Sequence, residues 1–286
     1  MKKIFVILAA LLWQSSSAAA FDARKIIEKV LDRDDGTTEI ARVTLSTCAV
    51  KKQGKKIVCS RHPRVKVMDM IRKDYGPDEK DHKTITIVQE PAGERGIGFL
   101  QYDYEQKGKE TDQWLYLSAL GKVKRIVSGS ENEPKTGSFF GSEFNYEDME
   151  KKHLDDYTYK LLGEEIYRGQ PCFVIESVPV RERAKKSNYS KSLDWVDQKR
   201  SIILKSILYN RQGGKAKRFY FQNIRSINGI LVPMQTIVLN LETSRRTFMT
   251  YEKVRLNTDV DDEFLTQRTL VDDAFRQRRL LIYQAL

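Results

Sequence analysis

The chain has 286 residues, 40% hydrophobic and 31% charged, and its 50 Lys and Arg against 39 Asp and Glu give a formal net charge of +11. In a cytosolic protein such a basic excess points to nucleic acid; in an exported one the available polyanions are phospholipid or lipopolysaccharide headgroups, or an acidic protein face. No segment beyond the first stretch stays apolar for the roughly 20 residues that a membrane-spanning helix needs.

The chain starts Met1-Lys2-Lys3, continues with the apolar run Ile4–Trp13, and reaches Ala18-Ala19-Ala20 before Phe21. A charged start, an apolar run of about ten residues and a small-residue cleavage site form the pattern of an export signal. Cleavage after Ala20 is expected, with 21–286 as a single domain released into the periplasm. No cysteine stands at the cleavage point to carry a lipid anchor. Loss of Lys2 and Lys3 lowers the net charge to about +9. Export removes nucleic acid as a partner.

The first element is a helix over Phe21–Leu31, where Ile26, Ile27, Val30 and Leu31 recur at helical spacing and Asp22 is the N-cap. Strands follow. Ala41, Val43 and Leu45 alternate with polar residues, the mark of a sheet wet on one side. Cys48 and Cys59 flank a polar hairpin turn, and a tip at Gln53-Gly54 puts them opposite each other. Cross-strand neighbours lie about 4.5–5.5 Å apart at Cβ, so a Cys48–Cys59 disulfide is expected in an oxidising compartment. Cys172 remains, in an apolar strand, as a buried thiol.

Further strands are predicted at Val65–Ile71, Thr84–Val88, Ile97–Tyr104 and Gln113–Ser118. A segment without period, Glu131–Glu147, reads as a long ordered loop, with a helical turn over Tyr146–His153. Loops of this length inside a domain are usually functional or mobile. A meander then runs through Tyr157–Leu162, Pro171–Val178, Leu193–Val196, Ile202–Tyr209, Lys217–Ile224, Ile230–Leu241 and Arg246–Arg255. Helical spacing returns in the tail from Asp261. About a dozen antiparallel strands with helices at the ends predict one large sheet that must curl, its concave face covered by the amphipathic helices.

Three blocks stand in order in the first half: Gly96-Ile97-Gly98-Phe99-Leu100-Gln101-Tyr102-Asp103-Tyr104, then Asp112–Ile126, then Gly137–Met149. Written as GxxFLxYDY, DxWLYLxALxxVxRI and GSFxGSxFxYEDM, they resemble the outer-membrane lipoprotein-sorting proteins, the LolA-like branch of the LolA/LolB superfamily. Trp195-Val196-Asp197, Asn228-Gly229 and Pro233 extend the likeness, so that it spans most of Thr38–Leu270. Ser118 stands where relatives commonly have proline, and Glu143 where they have aspartate. The resemblance implies a mainly β fold, an incomplete antiparallel barrel of about eleven strands covered by helices, whose cavity shields acyl chains.

Catalytic motifs are missing. There is no nucleophile elbow, His62, His82 and His153 are isolated, and the paired acids fall at caps and turns. No enzyme activity, cofactor or metal is expected. The candidate cavity lining is Val43, Leu45, Ile85, Ile87, Leu100, Tyr102, Trp114 and Tyr116, apolar or aromatic at alternate strand positions. A dry core is the competing reading for each, and the strand face that turns inward stays open. Phe139, Phe140 and Phe144 would sit in a loop at the cavity mouth, or plug the barrel end. Lys122, Lys124 and Arg125, just before them, would meet a lipid headgroup or an acidic partner. The leading expectation is a periplasmic carrier of lipid or lipoprotein acyl chains with transient membrane contact. The alternative is an accessory or sensor protein of an envelope lipid exporter, an inner-membrane machine of the proton-driven RND type.

Overall fold

The computed structural model describes residues 22–76, 78–130 and 132–285. The expected signal peptide lies outside the described residues. Asp22 caps α1 (Ala23–Leu31), its carboxylate accepting from the Arg24 backbone N–H at 3.0 Å. Fourteen strands follow: β1 (Thr38–Gln53), β2 (Lys56–Cys59), β3 (Arg64–Tyr75), β4 (Asp81–Glu90), β5 (Gly98–Asp103), β6 (Asp112–Leu117), β7 (Lys122–Ile126), β8 (Tyr157–Tyr167), β9 (Gln170–Pro179), β10 (Tyr189–Asp197), β11 (Ile203–Asn210), β12 (Lys215–Ile227), β13 (Ile230–Asn240) and β14 (Arg245–Leu256). A short helix, α2 (Arg181–Lys186), interrupts the meander, and α3 (Gln267–Val271) and α4 (Asp273–Ala285) close the chain. The basic cluster Arg181–Lys186 is thus helical.

The strands form one antiparallel sheet in the order β7-β6-β5-β4-β3-β1-β14-β13-β12-β11-β10-β9-β8, with β2 paired only to β1. β1 and β14 join the two halves, while β7 and β8 are edges that do not bond to each other. The sheet is therefore open, and it has fourteen strands where the resemblance implies about eleven. The additional strands include the short β2 and β7, of four and five residues.

Residues 127–156 run from the edge β7 to the edge β8 and lay Phe139, Phe144 and Tyr146 on one sheet face. There they join Val43, Leu45, Met249, Val238 and Phe219 in a single buried cluster. This face is called inner below, and the crossing segment the strap. α1 packs on the same face, with Ala23 and Ile27 against Phe173, Ile175 and Val196. α3 and α4 do not join it. They cover the opposite, outer face over β3–β7, where Leu270, Phe275 and Leu280 pack against Ile71, Ile85, Ile87 and Leu100. The terminal helices, both expected on the concave side, are therefore divided between the faces. Gly98 allows the close seat of α3: a Cβ there would lie 2.7 Å from Leu270 Cδ2 and 2.9 Å from Ile87 Cδ1.

Cys48 and Cys59 form a disulfide. The hairpin register pairs Gln53 with Lys56 and Val50 with Cys59, so the tip is Gly54-Lys55 and the cysteines are diagonal, not opposite. Gly54 adopts φ 59°, which a two-residue turn requires. The Cα atoms are still only 5.7 Å apart. Cys172 is free and buried, and burial pushes its thiol pKa up.

Candidate functional site

The inner face and its strap make the site. Alternation along β1 turns Val43 and Leu45 inward, and β5 contributes Phe99. On this platform the strap stacks its rings. Phe139 meets Phe99 edge-on at 5.3 Å between centroids, Tyr146 stacks on Phe99 at 5.7 Å, and Phe144 meets Phe219 at 5.9 Å. Phe139 is 1% exposed and Phe144 4%. Phe140, half-buried, packs on Phe139 at 4.5 Å with its backbone at φ 49°, a left-handed conformation costly for a side chain of that size. Gly137 carries φ 111° and has Tyr146 Cε2 2.7 Å from where a Cβ would be. Only glycine lets the Tyr146 ring lie there.

Polar groups fix the strap on both sides of the rings. Glu143 pairs with Arg245 at 2.6 Å and accepts from Asn240 Nδ2 at 2.8 Å, and its backbone N–H donates to Thr247 Oγ1 at 2.9 Å. Asp148 accepts from Lys217 Nζ and from the Tyr189 hydroxyl, each at 2.7 Å. Glu147 accepts from Arg183 of α2 at 2.9 Å and from the Asn188 backbone N–H at 2.6 Å. Glu150 pairs with Lys135 at 2.9 Å, and burial pushes its carboxyl pKa up. From the other half of the sheet, the Gln101 and Gln113 amides donate to the Met149 and Tyr146 carbonyls at 2.6 and 3.1 Å. The acids of the third sequence block are thus buried anchors. Their side-chain partners come from α2, β10, β12, β13 and β14, which no spacing in the strap itself could reveal.

Spaces open beside the strap, at α2 and at α1. One, of about 290 Å³, lies between the strap, α2 and β10–β12, with Tyr157, Leu208, Phe219 and Phe221 among its walls. Asp194 stands at its floor, accepting from Ser206 and Ser192 at 2.6 and 2.9 Å. The other, about 810 Å³, opens between α1, the β3–β4 hairpin and the end of the strap, and is lined mostly by charged side chains such as Arg24, Asp35, Asp74 and Lys152. The first is apolar enough to hold part of a hydrocarbon chain; the second is a wet vestibule.

The eight residues proposed as a single lining do not share a face. Val43 and Leu45 lie under the strap. Ile85, Ile87, Leu100, Tyr102, Trp114 and Tyr116 lie on the outer face beneath the C-terminal helices. Alternation identifies an apolar side of each strand, but the face each side shares is set by ladder register. Lys122, Lys124 and Arg125 stand exposed on the edge strand β7, with Arg125 paired to Asp112. Among the described residues there is no group of three or more His, Cys, Asp or Glu placed to hold a metal ion, and no helix is long and apolar enough to cross a membrane.

Residues 80–272 match the model of a protein family whose description reads uncharacterized protein. The chain belongs to this family. The matched region contains the strap and both of its anchoring halves. The fold is shared with a DUF1329 family protein of Desulfovibrio piger, at 23% identity over 87% of this chain and 97% of that one, with a TM-score of 0.75. It is equally similar to an outer membrane lipoprotein-sorting protein domain of Vibrio parahaemolyticus, at 25% identity, 87% and 98% coverage and a TM-score of 0.74. A LolA superfamily protein of Nitrosomonas europaea follows at 22% identity, 86% and 98% coverage and a TM-score of 0.60. No curated protein matches the chain in sequence.

Proposed function

We propose that the chain is a periplasmic carrier that shields the acyl chains of a lipid or lipoprotein on its inner sheet face, with the strap as the lid that fills the site when cargo is absent. The observation that carries this reading is the seating of Phe139, Phe144 and Tyr146 against Val43, Leu45, Phe99 and Phe219. The rings cover an apolar sheet face and are tethered at their flanks by hydrogen bonds and ion pairs. Displacing them would exchange one set of apolar contacts for another. A buried CH₂ is worth about 0.8 kcal/mol, so an acyl chain of ordinary length supplies enough to compete with three rings. The similarity to a lipoprotein-sorting domain of Vibrio parahaemolyticus supports the same reading. In it, Val43 and Leu45 touch cargo, Phe139, Phe140 and Phe144 form the lid, and Lys122, Lys124 and Arg125 at the β7 edge meet a headgroup or the partner that delivers it. An inner-membrane exporter of the RND type fits as that partner.

Mass spectrometry of lipids extracted from protein purified without detergent tests this reading. Co-purifying acyl lipids in near-stoichiometric amount are expected. Protein free of lipid, which also fails to bind a fluorescent fatty acid, would overturn it and leave the role of an accessory or sensor protein without carrier activity.

A further inference from the structure

The outer face carries a second surface, unrelated to the strap. Beyond the region roofed by α3 and α4, ladder registers align Trp195, Lys205, Tyr220, Ile237 and Phe248 side by side across β10–β14. Leu193, Ile207, Arg218, Leu239 and Arg246 form the adjoining row. The apolar cluster around Trp195 draws its members from the strands and one turn, with no helical residue among them. Five strands at about 4.8 Å spacing make this surface roughly 20 Å wide.

Its cations lie flat over its rings. Lys205 Nζ stands 3.5 Å from the Trp195 ring centroid, and the Arg246 guanidinium 4.4 Å from that of Phe248. Burial lowers the pKa of both side chains. Arg218 Nε and Arg246 Nε are buried without a hydrogen-bond partner, as is Arg255 Nη1 at the end of the same face; Arg246 Nη1 donates to the Ile57 carbonyl at 3.1 Å. Three acids border it: Glu165 accepts from Trp195 Nε1 and acts through its charge on Lys205, Glu176 accepts from Lys191, each bond at 2.7 Å, and Glu252 accepts from Thr44. The cations Lys191, Lys205, Arg218 and Arg246 outnumber the acids Glu165, Glu176 and Glu252, so the face carries a net positive charge interleaved with aromatic rings.

We propose that this face docks onto an anionic phospholipid surface, where Lys205, Arg218 and Arg246 turn outward to headgroup phosphates and Trp195, Tyr220 and Phe248 sit at headgroup level. Long basic side chains cover apolar surface with their stems while their charge seeks water or phosphate. Trp and Tyr favour the boundary between water and hydrocarbon. Each Lys or Arg near an anionic leaflet adds about a fivefold gain in partitioning. Docking by the outer face leaves the inner face open, so the proposal stands whether or not cargo binds there.

Co-sedimentation with vesicles tests it, comparing phosphatidylcholine alone with phosphatidylcholine mixed with phosphatidylglycerol. Binding to the mixed vesicles only, weakening with salt, is expected. The triple variant Lys205→Gln, Arg218→Gln, Arg246→Gln should lose on the order of a hundredfold in partitioning, with an unchanged circular dichroism spectrum as the check on folding. In a Trp114→Phe background, nitroxide-labelled lipid should quench Trp195 fluorescence on mixed vesicles. Equal binding to both vesicle types, retained binding by the triple variant, or no quenching of Trp195 would overturn the assignment. If vesicles are ignored but immobilised poly-glutamate retains the wild type and releases the triple variant, the face serves an acidic protein and the bilayer is excluded.

Discussion

Lys217 Nζ lies 2.7 Å from Asp148 Oδ2, and the two side chains expose only 4% and 2% of their surface. This pair ties the strap to the start of β12, more than half the sheet away from the edge where the strap begins. Removing one partner leaves the other charge buried and unmatched, which costs about 3–5 kcal/mol. Asp148→Asn should therefore lower the unfolding free energy from urea titration by that amount. Asp148→Leu with Lys217→Met, apolar on both sides, should recover most of the loss. If the double variant is no better than the single one, the Tyr189 hydroxyl on Asp148, and not the lysine, is the important contact.

Phe139 is the ring most deeply set on the inner face. Phe139→Ala should cost about 3–5 kcal/mol and at the same time vacate the space against Phe99. Under the carrier reading a fluorescent fatty acid then binds more tightly, because it no longer has to displace the ring. Titration of the probe against both proteins measures this, and weaker binding would make Phe139 a cargo contact and not a lid.

The two sheet faces can be separated experimentally at Gly98. A valine there collides with Leu270 and Ile87, and overpacking of this kind costs about 1–3 kcal/mol. Gly98→Val should loosen α3 and α4, seen as faster proteolysis of the tail, with fatty-acid binding unaltered. Loss of binding in this variant would move the cargo site to the outer face, where six of the residues proposed from sequence lie.

Thiol labelling of unreduced, denatured protein should find one reactive cysteine, Cys172, because Cys48 and Cys59 are bonded across a separation of 11 residues. Replacing both with serine should cost about 2–3 kcal/mol through the freed loop in the unfolded chain. Three labelled cysteines would show that the bond does not form in solution.

Glu39, half-buried on β1 beside Arg72, has its carboxyl pKa pushed up by burial, and the nearby Asp35 and Asp74 add to this while Arg72 opposes it. The native state thus holds this proton more tightly than the unfolded chain, so the group costs no stability below about pH 4.3 and costs progressively more as pH rises through its folded value. Glu39→Gln should raise the melting temperature at pH 7, with the gain fading to nothing near pH 4. A gain independent of pH would point to packing instead of charge.

Helical spacing and an N-cap acid were enough to place α1, and strand alternation with turn residues was enough to find the meander and its long connections, because both are local properties of the chain. The three sequence blocks were enough to suggest the family, and the Cys48–Cys59 pair was legible from a hairpin whose tip was misjudged by one residue. What could not be read was which side of each strand faces which neighbour. A shift of one residue in a ladder turns every side chain to the other face, and the bulges between Arg42 and Val43 and between Val67 and Met68 are such shifts. The alternate apolar residues of β1 therefore look equivalent to those of β4–β6 in sequence, yet one set lies under the strap and the other under α3 and α4. The acids of the strap carry no local sign of their partners, since Lys217, Asn240 and Arg245 lie some 70 to 100 residues further on. Lys205, Arg218 and Arg246 likewise belong to separate strands, and only the register of the sheet brings their charges onto one surface.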